Sequence, residues 1–327
     1  MKDRVSMMKY PYTEKKDTRS GFGAGLLEAG RRNSNVVALA ADLKGSVKMD
    51  AFAKEFPDRF VQVGIAEANM ISIAAGLTLS GKIPFTGTFA EFSTGRVYDQ
   101  IRQSVAYSNK NVKIYAPHAG LTVGEDGATH QALEDMGMMK MMPNMTVIHP
   151  CDYNEAKNAT LAVADYDGAV YLRCGRPEVP NFTPADKKFE IGKGEVLQDG
   201  SDITIIAIGH LVYPALEAAD ILAAKGISAE VVKISTLKPL DSECILRSVR
   251  KTGKVLTCEE HQIAGGLGES VASLLMRSHV PVPMDMLGVN DKFGQSGKPQ
   301  ELMDFYGLNT AGIVAKVERL NSLNKDK

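Results

Sequence analysis

Five short runs in the first half of the chain, VVALAA (36–41), FVQVG (60–64), VKIYAP (112–117), MTVIHP (145–150) and AVYLRC (169–174), are apolar and rich in β-branched residues almost without alternation. A strand with one wet face alternates, whereas a strand apolar on both faces must be covered on both, the condition of a parallel sheet packed between helices. Helical patterns near 20–32, 67–80, 94–108 and 153–165 separate the runs, so the expected architecture is α/β with a doubly wound, mostly parallel sheet. Residues 176–194, with three prolines and a charged cluster, read as a linker. Beyond it ITIIAIG (203–209), AEVVKIS (229–235), KVLTCEE (254–260) and VPMDMLGV (282–289) alternate with helical patterns near 212–225, 241–252 and 267–278, repeating the logic in a second doubly wound domain closed by helices near 300–307 and 311–322. The expected limits are 14–181 for the first domain, 182–194 for the linker and 195–327 for the second, and 327 residues suffice for two.

Charge and cysteine content remove several function classes. Lys plus Arg number 38 against 39 Asp plus Glu, so no net field draws the chain to nucleic acid or to an anionic membrane. Cys151, Cys174, Cys244 and Cys258 are too scattered for a disulfide framework and form no Cys-x-x-Cys pair, and they read as buried thiols of a reducing, cytoplasmic compartment. No apolar run reaches the ~18 residues of a membrane span, and the start MKDRVSMMKYPYTEKKD lacks the apolar centre of a signal peptide. The first ~15 residues and the tail SLNKDK are expected to fray.

Three stretches carry chemistry-bearing residues. VGIAEANM (63–70) sets Glu67 at the mouth of a helix whose next residues, Met70, Ile71, Ile73, Ala74, Ala75 and Leu77, leave hardly a polar face. A carboxylate there ordinarily complements the helix dipole. Beside a helix fit for burial it is also desolvated, and can share a proton with a ligand nitrogen. TGTFAEFSTGRVYDQ (86–100) places Phe89 and Phe92 at i and i+3, the spacing of ordinary core packing and equally of a stacking surface for a flat heterocycle. PHAGLTVGEDGATHQALED (117–135) surrounds an acidic pair with three glycines and two histidines, in a loop at the carboxyl end of a parallel strand, where α/β folds place ligands. By composition alone it is also an ordinary surface loop. HQIAGGLGES (261–270) reads as a tight strand-to-helix turn, since no GxxxxGK[ST] arrangement makes it a phosphate cradle. DMGMMKMMPNM (135–145) reads as core and interface packing beside the loop.

GIAEANM, TFAEF and GEDGATHQALED, in this order and spacing, resemble the pyrimidine-binding half of transketolases, enzymes that depend on thiamine diphosphate. The similarity runs through nearly the whole chain, including EEHQIAGGLGE (259–269); GEDGxTHQ is specific to the group, whereas GIAE alone is not. The family's Gly-Asp-Gly…Asn signature for metal and diphosphate does not occur in the chain. The resemblance thus implies the C-terminal subunit of a split transketolase, assembled as a heterotetramer with an N-terminal subunit that holds Mg2+ and the diphosphate. It implies transfer of a two-carbon ketol unit between sugar phosphates. A 1-deoxyxylulose-5-phosphate synthase-like subunit, the β subunit of a 2-oxoacid dehydrogenase, a split transketolase for an unusual sugar phosphate, and a non-catalytic scaffold are the alternatives; intact Glu67 and His130 argue against the last.

By the same resemblance Glu67 holds N1′ of the aminopyrimidine and promotes the imino tautomer whose nitrogen takes the thiazolium C2 proton, on a helix at a dimer-like interface. Phe89 and Phe92 match the aromatics that bracket the pyrimidine. Gly95 stands where the common form has tyrosine, with Tyr98 as a substitute from the next turn, and Asp42 matches a cofactor-proximal acid. His118 and His130 match histidines of the substrate channel, His130 as donor to a developing oxyanion or as general acid–base, and Asp126 matches the aspartate that reads the hydroxyl next to the reacting carbon. Arg19, Ser46 and Arg173 match the positions that hold the sugar phosphate at the channel entrance, with Arg176 a close rival of Arg173. Guanidinium forks suit that task because they bind phosphate bidentately.

Overall fold

The computed structural model describes residues 9–322. A seven-stranded sheet runs in the order Thr236–Lys238, Met145–Ile148, Ala169–Arg173, Lys113–Ala116, Ile83–Gly87, Val36–Ala40, Phe60–Gln62, parallel except at its first strand. A five-stranded sheet runs Met284–Val289, Val255–Gln262, Ile203–Ala207, Ala229–Ile234, Gly194–Gln198, parallel except at its last strand. Both are covered by helices, so the chain is α/β as the pattern requires. Val36–Ala40, Lys113–Ala116, Met145–Ile148 and Ala169–Arg173 are buried at every residue, the burial that unbroken apolar runs demand.

Within these two sheets, three strands escape the sequence pattern. Ile83–Gly87 is central to the larger sheet although Pro84 argues against a strand there. The sheet tolerates the missing N–H because pairing with Lys113–Ala116 begins one residue later, at Phe85. Gly194–Gln198 and Thr236–Lys238 are short antiparallel edges. The second of these leaves the C-terminal half to pair with Met145–Ile148, and one apolar core unites Ile71 and Ile114 with Ile206, Val232 and Ile245. The two halves therefore share an interior.

Local departures have equally local causes. The stretch read as a linker contains Glu178–Pro180, which pairs with Lys15–Asp17. The carboxylate of Asp152 then pins its continuation, accepting from the N–H groups of Phe182 and Thr183 at 2.9 and 2.7 Å. Of the segments expected to fray, residues 1–8 and 323–327 lie outside the described residues. From residue 9 onward the chain is anchored, with Lys9 Nζ and Tyr10 OH each donating to the Leu197 carbonyl at 2.8 Å. The helix expected at 94–108 is broken into Ala90–Ser93, a tight turn at Gly95–Val97, and Tyr98–Gln100 running into wide π-type turns over Ile101–Tyr107. The break falls at Thr94, whose φ of −130° is off-helical.

The helix Glu67–Thr78 is not buried all round. Glu67, Met70, Ile71, Ala74 and Ala75 face the core, while Ala68, Asn69, Ser72 and Gly76 are exposed, flanked by Ile65 and Leu79 at 78% and 76% exposure. Only Asn69 and Ser72 mark that outer face as polar in the sequence. All four cysteines are buried and free, and Met136, Met139, Met142 and Met145 are core residues. Among the described residues no helix is long and apolar enough to cross a membrane.

Candidate functional site

The larger sheet brings most of the singled-out side chains to one place. The helix Thr18–Arg32 is capped by Asp17, which accepts from Ser20 N–H at 2.9 Å. Its first turn aims Arg19 at the loop that follows strand Lys113–Ala116. There Arg19 donates to the carbonyls of Ser46 (3.3 Å) and Arg176 (3.0 Å) and lies 3.1 Å from Nε2 of His118. Burial, then the charges of Arg19, Arg176 and Lys48, lower the His118 pKa to about 3. The ring is thus neutral, and since a guanidinium can only donate, Nε2 accepts and Nδ1 carries the proton. That buried Nδ1 has no hydrogen-bond partner among the described residues. Its backbone is held at φ 57°, a left-handed conformation uncommon for histidine. Asp42 shares this conformation at φ 59°.

Planar groups continue from His118 toward Glu67. His118 stacks on Phe89 at 3.8 Å, Phe89 and Phe92 are parallel at 6.1 Å, and His130 meets Phe92 edge-on at 5.3 Å. Over Phe92, with its carbon 3.9 Å from the ring centroid, lies the guanidinium of Arg96, which donates to Glu67 Oε1 at 2.9 Å. It is Arg96, not Tyr98, that lies over Phe92, and Tyr98 packs against the core. Glu67 is buried as expected, but in an ion pair. Asp42 and Asp126 are exposed, and among the described residues no hydrogen bond or ion pair joins either carboxylate to the cluster.

Arg173 requires correction. It does not stand at an entrance: it is 0% exposed, with Nε 2.7 Å from Asp135 and the two terminal nitrogens directed to the carbonyls of Ala132 and Glu260 and to the His149 ring. Tyr171 completes the pair by donating to the same Asp135 oxygen at 2.6 Å. Burial opposes ionisation of Asp135, but the charge of Arg173 and the hydrogen bonds from Arg173 and Tyr171 outweigh it and hold the carboxyl below its ordinary range. Burial likewise keeps His210 and His261 near 4, so both are neutral around this fixed cation. The crowding is such that a Cβ on Gly209, at φ +59°, would lie 2.0 Å from the His149 ring. Arg176, by contrast, is 38% exposed and touches the loop at Val123 and Glu125.

The second half supports the loop with residues the sequence did not single out. Glu260, buried and raised in pKa by that burial, accepts Thr122 N–H at 2.7 Å. Gln131 ties Leu121 and Gly124 to Gln295. The turn at 261–270 is no phosphate cradle, because the Glu259 carboxylate already accepts the N–H groups of Leu267 and Gly268 at 2.6 and 2.8 Å. Charged residues within the otherwise apolar strand VLTCEEHQ, and an arginine four residues after Phe92, were the available signals for Glu260 and Arg96.

Comparison with known proteins identifies the family. The model of the transketolase pyrimidine binding domain matches residues 14–181 and that of the transketolase C-terminal domain residues 192–313. A putative transketolase C-terminal section of Methanocaldococcus jannaschii is 47% identical over 304 residues, 92% of this chain and 95% of that protein. A 6-deoxy-6-sulfo-D-fructose transketolase subunit of Clostridium sp. (strain MSTE9) is 42% identical over 88% of this chain and 89% of its own length. Among solved structures, a split gene transketolase described as an inactive beta4 tetramer superposes with a TM-score of 0.87 at 44% identity, covering 95% of this chain and 99% of that one. The chain therefore belongs to the transketolase family, corresponding to its pyrimidine-binding domain followed by its C-terminal domain.

Proposed function

We propose that this chain is the C-terminal subunit of a cytoplasmic, thiamine-diphosphate-dependent split transketolase that moves a two-carbon ketol unit between sugar phosphates. The observation that carries the reading is the convergence of buried Glu67, the Phe89–Phe92 surface, and the two histidines within one continuous cluster. A buried carboxylate beside aromatic faces fits an aminopyrimidine, which needs a hydrogen-bond acceptor in its plane and a stacking surface. When bound, the cofactor supplies the carbanion chemistry. Glu67 holds the pyrimidine and its proton, and His118 offers the Nδ1 proton to a substrate oxygen. His130 serves as donor or general acid–base, with Asp126 and Asp42 reading substrate hydroxyl and cofactor from the exposed rim. The diphosphate and its Mg2+ belong to the N-terminal subunit, together with which the chain forms a heterotetramer. The small-residue outer face of Glu67–Thr78 is the surface proposed to be covered in that assembly.

The substrate phosphate is proposed to dock at Arg19, Ser46 and Arg176, since Arg173 has no nitrogen to spare. Arg176→Ala should weaken use of phosphorylated acceptors by about 1.5–3 kcal/mol, mainly through KM, with little effect on unphosphorylated ones. Equal losses on both would move the phosphate elsewhere. The similarity to a sulfosugar transketolase subunit favours one variant of the reading, a donor carrying another anionic terminus at the same arginines.

Reconstitution tests the proposal as a whole. The isolated chain is expected to bind thiamine diphosphate weakly and to transfer no ketol group, and addition of the N-terminal subunit should restore both. Saturable, magnesium-dependent binding by the chain alone at micromolar concentration would refute the division of labour.

A further inference from the structure

We propose that Arg96 is a resident competitor for the cofactor's pyrimidine, a side chain that must leave Glu67 and Phe92 before the ring can seat and that thereby sets cofactor affinity. The inference rests on the reading of Glu67 as the pyrimidine's partner and adds a residue which that reading does not assign.

A guanidinium is flat, carries N–H donors in its plane and stacks on aromatic faces. Arg96 uses each property here: an N–H to Glu67 Oε1 at 2.9 Å and its plane over Phe92 at 3.9 Å. These are the two contacts a flat, N–H-bearing heterocycle would make with the same pair. Arg96 holds Glu67 Oε1 and one face of Phe92, so a ring that seats on that oxygen and that face displaces it.

The two members of the ion pair differ in freedom. The Glu67 side chain is 6% exposed and sits in the first turn of a packed helix, whereas that of Arg96 is 47% exposed. The arginine is the member able to swing. Its backbone neighbourhood permits the motion, since it follows exposed Gly95 and off-helical Thr94 in a tight turn rather than a continuous helix. Glu91, whose carboxyl is raised by burial and by Glu134 and Asp135 and lowered by Arg96, offers the displaced cation a second carboxylate. The contact also keeps Glu67 paired while the cofactor is absent, which spares the chain an uncompensated buried charge.

A half-exposed ion pair with a cation–π contact is weak enough to displace and strong enough to measure. In the complex of the full chain with its N-terminal subunit, titrated calorimetrically with thiamine diphosphate and Mg2+, Arg96→Ala should lower Kd about three- to tenfold. Arg96→Lys, which keeps the charge without the plane, should fall between that variant and wild type. Unchanged or weaker binding by Arg96→Ala overturns the proposal and assigns Arg96 to support of Glu67. Glu67→Ala separates this outcome from failure of the underlying reading. If Glu67→Ala binds cofactor as wild type does, the pyrimidine assignment itself falls. If it binds weakly and the gain from Arg96→Ala shrinks in the double variant, competition at Glu67 stands.

Discussion

Glu67→Gln is expected to slow hydrogen–deuterium exchange at the cofactor's acidic C2 carbon by about 10²–10⁴-fold in the reconstituted two-subunit complex. Glutamine keeps the shape and one hydrogen bond but cannot share a proton with the ring nitrogen. Cofactor affinity should change much less than exchange. The substitution also removes the carboxylate that Arg96 holds, so occupancy must be measured for both proteins and exchange compared at saturation. A carboxylate serving only the helix dipole would contribute about 0.3–1 kcal/mol to stability and nothing to exchange. Wild-type exchange rates in a glutamine variant that binds cofactor would therefore end the catalytic assignment.

The second large effect concerns stability. Arg173→Ala is expected to cost about 3–5 kcal/mol, because it strands the fully buried Asp135 carboxylate without its cation. Denaturant titration of the chain should show the loss as a lower midpoint. A matched apolar replacement of both partners, Arg173→Met with Asp135→Leu, should recover much of it, since such an exchange removes both desolvation costs together. Discrimination between phosphorylated and unphosphorylated acceptors should survive in whatever fraction of Arg173→Ala remains folded. A selective loss of phosphorylated substrates with unaltered stability would return Arg173 to the phosphate site.

Arg173 and Arg176 show where sequence reading stops. Both lie at the exit of one strand, three residues apart, and both suit a phosphate by type. Their fates diverge because strand Ala169–Arg173 is enclosed by the second half of the chain, which delivers the Glu260 carbonyl onto Arg173 and His261 onto its partner Asp135. That docking comes from residues some ninety positions away, so no local pattern around AVYLRCGR could report it. Arg176, beyond the enclosed strand, remains partly in water.

The unbroken apolar runs, the punctuation between them and the spacing of GIAEANM, TFAEF and GEDGATHQ by themselves determined the α/β class, the two sheets and the loop bearing the two histidines. These depend on covering each strand and on turn chemistry, and both are written locally. Only the tertiary structure decided that Pro84 sits in a central strand, that Thr236–Lys238 crosses to the first sheet, that Arg173 is a core ion and that Arg96 occupies Glu67. Each depends on which distant surface closes over a residue, and pair energies of that kind are fixed by burial and geometry rather than by neighbours in the chain.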